Sequence, residues 1–345
     1  MMTRRLRNSL IASLLVSAAL ASAGISDAAE VNLYSSRHYD TDEQLYSRFT
    51  EETGITVNRI EGDADELIER IRLEGEQSPA DVFITVDAGR LWRAEEAGLF
   101  APVESKILNE RIPARLRNPE GLWFGFTTRA RVIVYDKERV DPALIGTYED
   151  LARPELEGLV CIRSSTNIYN LSLLASLIEY HGMDGASEWA TGVVHNFARQ
   201  PEGNDTNQIE AVAAGQCGVA VANSYYAARI LNSDDPARQE IASKIGIIFP
   251  NQDDRGAHVN ISGAGLVHSA PNHDEAIAFL EYLASDAAQA WLANGNNEYP
   301  AVESVKVDNP ALDAMGEFKA DPVNVSVLGN NQPMAQIIFD EAGWR

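Results

Sequence analysis

Two adjacent tyrosines, Tyr225 and Tyr226, stand between the apolar run Gly218–Ala222 and the segment Ala227-Ala-Arg-Ile-Leu231. The run reads as a buried strand, and the segment as the start of a helix with Ser224 at its N-cap. In open α/β sheets the carboxyl end of a strand is where ligands bind. A phenolate is a hard, anionic oxygen donor, so a pair of them at that point suits a trivalent cation such as ferric iron. The same residues also fit a plainer arrangement, in which one tyrosine packs in the core and the other covers the helix surface.

Two further loops carry similar chemistry. His38 and Tyr39 lie in Ser36–Asp42, after the strand Glu30–Ser35. Tyr169 ends the polar loop Ser164–Tyr169, after the strand Leu159–Arg163. Singly, each reads as surface decoration or packing. Together they are informative, because all follow predicted strands.

The elements that must position them alternate. Strands are expected at 30–35, 56–60 and 80–85, with helices at 43–53, 63–76 and 88–97. This βαβαβα order predicts a parallel sheet covered by helices. Trp123–Thr127 and Ala130–Tyr135 read as two strands separated by Thr128-Arg129, placed to cross between two lobes. A second alternating block follows, with helices at 170–180, 184–195 and 206–214 and strands at 218–222 and 245–249. A strand at 263–267 is expected to return to the first lobe, followed by helices at 273–285 and 287–293 and a variable tail. The fold class is therefore α/β with a ligand cleft between two lobes. The first lobe is expected over 30–128 with about 258–305, the second over about 129–257 with about 306–345.

The chain has 345 residues, too many for one ordinary core. A net charge of −23 argues against nucleic acid or an anionic membrane surface as partner. Residues 1–28 read as an export signal: Arg4, Arg5 and Arg7, then the apolar run Leu10–Ala23, then small residues suited to cleavage. Thr3-Arg-Arg5 leaves a twin-arginine route open, but the following residues fit it loosely and the Sec route is favoured. No cysteine stands near the cleavage site, so no lipid anchor is expected and the mature chain should be soluble in the periplasm. Cys161 and Cys217 would form one disulfide in that oxidising space, or remain two buried thiols.

Beyond the three loops, the chain resembles the periplasmic ferric-iron-binding proteins, the receptors of iron(III) ABC importers, over its whole mature length. The segments carrying the resemblance are Val31-Asn-Leu-Tyr-Ser-Ser-Arg-His-Tyr-Asp40, Pro79-Ala-Asp-Val-Phe83, Arg129-Ala-Arg-Val-Ile-Val-Tyr135, Ile162-Arg-Ser-Ser-Thr-Asn-Ile-Tyr-Asn170 and Ala222-Asn-Ser-Tyr-Tyr226. It is most similar to the cyanobacterial and marine branch. The resemblance implies a two-lobed type II solute-binding fold and no catalysis. It implies a transported Fe3+ held by Tyr39, Tyr169, Tyr225 and Tyr226 with His38, and delivery by a monomer to an inner-membrane iron permease. Some relatives use a carboxylate after the third strand instead; Val86 and Asp87 stand there, and Asp87 is not expected to reach a metal.

Four phenolates around a 3+ ion leave one negative charge if His38 is neutral. Arg229, one helical turn beyond the tyrosine pair, is placed to offset it. Arg37, Arg129 and Arg163 are further candidates, with ordinary salt bridging as the alternative for each. A receptor of the same fold for an organic solute or oxyanion is the main competing function, but no tryptophan occupies the three loops. An enzyme is disfavoured, since neither a nucleophile elbow nor zinc spacing nor a phosphate loop is present. His181, His195, His258, His268 and His273 are scattered and read as structural or exposed, and Gly263–Gly265 lacks a dinucleotide fingerprint.

Overall fold

Leu45, Tyr46 and Phe49 recur at helical spacing, and all three are buried on the inner face of the helix Asp42–Thr53. Phe49 meets Phe279 edge-on at 5.1 Å, a contact whose truncation to alanine costs about 3–5 kcal/mol. The computed structural model describes residues 29–37 and 39–345. The expected export signal, 1–28, and His38 lie outside the described residues.

The strands are β1 (Glu30–Ser35), β2 (Thr56–Glu61), β3 (Val82–Val86), β4 (Phe100–Ala101), β5 (Phe124–Asp136), β6 (Val160–Cys161), β7 (Val219–Asn223), β8 (Ile245–Ile248), β9 (Val259–Val267) and β10 (Tyr299–Pro300). They form one hydrogen-bonded path in the order β2-β1-β3-β9-β5-β7-β6. The β1–β2, β1–β3 and β6–β7 pairs are parallel, as the alternation predicts. β5 and β9 run antiparallel to their neighbours, so the sheet is mixed rather than parallel.

The two strands expected on either side of Thr128-Arg129 are one, β5, of 13 residues. The polar residues do not break it because they are buried and partnered: Thr128 pairs with Ile261 of β9 and Tyr299 of β10, and Arg129 donates to Ser262 at 3.3 Å. From Phe124 to Ala130 it pairs with β9, and from Arg131 to Asp136 with β7 and β8. Its apolar residues change core at the same place. Phe124 and Phe126 belong to one buried cluster, with most core residues before them and with Ile261–Val302. Ala130, Val132 and Val134 belong to another, and Ile133 to a third that packs beside it. The tail is not irregular. Its helices include Ser326–Asn330 and Gln332–Ala342, and it adds Val325 and Leu328 to the first core and Ala335, Ile338 and Phe339 to the other side.

Cys161 and Cys217 form a disulfide with Cα atoms 5.8 Å apart. It closes a loop of 56 positions and ties β6 to the start of β7, worth about 4 kcal/mol on the chain-entropy model.

Candidate metal site

Each tyrosine of interest sits where a strand hands over to a helix or loop. Asn167 caps the helix Ile168–His195, its side chain accepting from the amide of Tyr169 at 3.2 Å. Tyr169 thus lies in the helix's first turn, not at the end of the loop. The helix kinks at Gly182, whose φ of 66° is left-handed and suits a residue without a Cβ.

Tyr225 and Tyr226 occupy the first turn of Ser224–Leu231, directly after β7. The expected cap at Ser224 is corrected by the structure: Asn223 holds the cap position and Ser224 is already helical. The Ser224 hydroxyl instead accepts from the Ala130 amide of β5 at 3.2 Å, which locks the tyrosine helix to the crossing strand. No side chain caps this helix. Its N-terminal dipole, like that of the Tyr169 helix, favours negative charge on phenol groups beside it.

The phenols converge. The Tyr169 and Tyr225 hydroxyls lie 3.4 Å apart, and the Tyr225 and Tyr226 rings 4.3 Å between centres. Asn223 donates weakly to the Tyr225 hydroxyl at 3.5 Å. Tyr39 reaches the same space from the loop after β1, and all four tyrosines line one cavity of about 760 Å³. Among the described residues no group of three or more His, Cys, Asp or Glu side chains is placed to hold a metal ion. Glu61 and Asp63 also line this cavity, but the oxygens that converge in it are the Tyr169 and Tyr225 hydroxyls.

Arginines surround the four rings. Arg229 lies 5.2 Å from the centre of the Tyr225 ring and 5.8 Å from those of Tyr39 and Tyr226. Arg37 lies 4.8 Å from Tyr39, while Arg129 and Arg163 lie 5.9 and 5.4 Å from Tyr169. Arg37 also pairs with Asp42 at 3.1 Å and Glu298 at 3.5 Å, and Arg163 with Asp205 at 3.3 Å. Both are therefore ion-paired as well as close to a phenol. Arg129 has Asp87 at 4.0 Å. Asp87 itself is buried, caps the helix Ala88–Glu96 and does not line the cavity, whereas Val86 does.

Burial pushes the Tyr39, Tyr225 and Tyr226 phenols above their ordinary pKa. For Tyr39, Glu298 adds to this and Arg37 opposes it; for Tyr225, the neighbouring tyrosines add and Arg129 opposes. Without a cation, these groups are neutral near pH 7. A cation strong enough to displace their protons is needed to make them donors.

Arg131 escapes a reading of the loops. It is buried, 5.7 Å from the Tyr169 ring, and its guanidinium donates to Asp205 at 2.8 Å, Asn170 at 2.9 Å and Asn223 at 3.1 Å. It therefore joins the residues flanking Tyr169 and Tyr225. The signal was available: two positions beyond Arg129 in a strand, it faces the same side. Glu298 was not legible, because only the fold brings it beside Arg37.

A family model described as a bacterial extracellular solute-binding protein matches residues 77–316. The chain belongs to the bacterial extracellular solute-binding proteins. Within this family it is similar to the iron uptake protein A2 of Synechocystis, 57% identical over 317 residues, 91% of this chain and 90% of that protein. The Fe(3+)-binding periplasmic protein of Serratia marcescens is 30% identical over 312 residues, 90% of this chain and 89% of that protein. The Trichodesmium protein IdiA, or FutA, solved in complex with iron and citrate ligands, superposes with a TM-score of 0.89 at 58% identity, covering 92% of this chain and all of that one. The Serratia relative is named for binding Fe(3+), and the Trichodesmium protein was solved with iron.

Proposed function

We propose that the chain is an extracytoplasmic receptor that closes two lobes on iron(III), held by Tyr39, Tyr169, Tyr225 and Tyr226, and delivers it to an ABC permease. The observation that carries this is the convergence of four tyrosines in one cavity, with the Tyr169 and Tyr225 hydroxyls 3.4 Å apart. Ferric iron is the cargo whose charge suits anionic oxygen donors and whose acidity displaces phenol protons. The iron bound by the relatives supports the same reading. Arg229 offsets the surplus charge of four phenolates, and Arg37, Arg129, Arg131 and Arg163 stiffen the surroundings.

In this reading Tyr39 comes from the first lobe, built on 30–128 and about 258–305, and the other three from the second. Cleavage after residue 28 and Sec export place the monomer in the periplasm, where the Cys161–Cys217 bond is stable. His38 adjoins Tyr39 in the sequence and is proposed as a fifth donor. The cavity of about 760 Å³ leaves room for a small carboxylate chelator beside the ion, and one relative was solved in complex with iron and citrate ligands.

The test is optical. Iron(III) citrate added to the purified apo-protein should produce a visible phenolate-to-iron charge-transfer band. A protein that stays colourless overturns the reading in favour of an organic solute or an oxyanion.

A further inference from the structure

Asp87 sits between β3 and the helix Ala88–Glu96. It follows β3, its amide donates to the Ile261 carbonyl of β9 at 2.8 Å, and it is fully buried. Its φ of 85° is rare for a residue with a Cβ and is held only where the surroundings enforce it. One carboxylate oxygen, Oδ1, accepts from the Gly89 amide at 2.9 Å and from the Ser172 hydroxyl at 2.6 Å. Ser172 lies on the helix that carries Tyr169, beside Leu171, Leu173 and Leu174 of the cluster that holds Ile133. The other oxygen, Oδ2, makes no hydrogen bond and faces Arg129 Nη2 at 4.0 Å, which makes none either.

The contact does not end at Arg129. Its Nη1 donates to Ser262 Oγ at 3.3 Å, and Ser262 donates to Glu298 Oε1 at 3.3 Å. Glu298 Oε2 accepts from Arg37 Nη1 at 3.5 Å, and the Arg37 guanidinium lies against the Tyr39 ring. A buried polar chain thus runs between the tyrosines of the two sides, through β5 and β9, the strands that cross from core to core.

We propose that Asp87 is a positioning residue, and that the chain Ser172–Asp87–Arg129–Ser262–Glu298–Arg37 couples lobe closure to the orientation of Tyr169 and Tyr39. Assigning those tyrosines to iron rests on the function proposed above; the coupling of the lobes does not. Two buried, opposite charges with unmade bonds 4.0 Å apart gain when a small movement completes the bond. Rocking the Tyr169 helix away from the first core withdraws Ser172 from Asp87 and leaves the carboxylate to Arg129. Rocking it back divides the carboxylate between the two again. Arg129 stands over the Tyr169 ring, so each position of the lobes sets a different field at that phenol.

The test compares Ser172→Ala, Ser172→Thr and Asp87→Asn in the full chain. X-ray scattering is recorded with and without iron(III) citrate, and iron release to a chelator is followed by loss of the visible band. Ser172→Ala should keep the band position but release iron about ten-fold faster, the effect of losing one hydrogen bond to a charge. Ser172→Thr, which keeps the hydroxyl, should restore the slow rate. Asp87→Asn should shift the band, because Arg129 loses its facing carboxylate, a change that a purely structural role would not produce. Release rates and band positions equal to those of the unchanged chain overturn the proposal. If the unchanged chain stays colourless, the iron reading fails instead, and scattering alone decides: a larger apo radius for Ser172→Ala supports the coupling, and an equal one overturns it.

Discussion

The two sides of the cleft present their tyrosines differently. On one side, Tyr169, Tyr225 and Tyr226 occupy the first turns of two helices that follow β6 and β7. Those strands are tied by a disulfide, and the residues flanking the tyrosines are tied by buried Arg131. On the other side, Tyr39 stands in a loop anchored by the Asp42–Arg37 pair and by the Asp42 amide bonding to the Tyr39 carbonyl. A preformed trio can take a cation before the lobes close, whereas a loop residue adapts to what has been captured. The comparison predicts that the sides contribute to different steps.

The largest effect should come from removing the trio's anchor. Tyr225→Phe with Tyr226→Phe is expected to abolish the visible band, while Tyr135→Phe leaves it in place; a band surviving the double change would break the comparison. Next, Cys161→Ser with Cys217→Ser should lower stability by about 4 kcal/mol in denaturant titrations and broaden the band, because the staple serves only the trio's side. Tyr39→Phe should keep a coloured complex while weakening iron retention by about 10–100-fold, measured as release to a chelator. If Tyr39→Phe also removes the colour, the two sides act in one step.

A last effect concerns the seam between them. Burial, reinforced by Arg131, Arg129 and Arg255, pushes His258 down to about 3. The unfolded chain binds this proton near pH 6.5 and the folded chain only near 3, so stability should fall as pH drops through that window. His258→Gln should flatten part of that fall in melting temperatures measured across the same range.

Much of this was legible in the sequence because it depends on local order. Paired tyrosines after an apolar run, the alternating elements and the two cysteines are signals within a few residues. The misses have non-local causes. Thr128-Arg129 reads as a break until Thr128 is found paired with Ile261 and Tyr299, and Arg129 bonded to Ser262, all from distant positions. Ser224 reads as a cap until its hydroxyl is found to accept from β5. The tail reads as variable because its apolar residues are shared between two cores and form no continuous pattern. Arg131 was the exception, recoverable from strand periodicity.

The continuity of β5 has a mechanical consequence. The cores are not beads on a loose string: residues 127–131 are buried and lie within a sheet, so closing the cleft bends a hydrogen-bonded ribbon instead of swinging a linker. Residues 303–308, at the proposed boundary between the lobes, are mostly exposed. A protease that nicks the chain there leaves β5 and β9 intact, and the piece beyond the cut stays packed through Val325, Leu328, Ile338 and Phe339, so the cut molecule should still travel, open and shut as one particle.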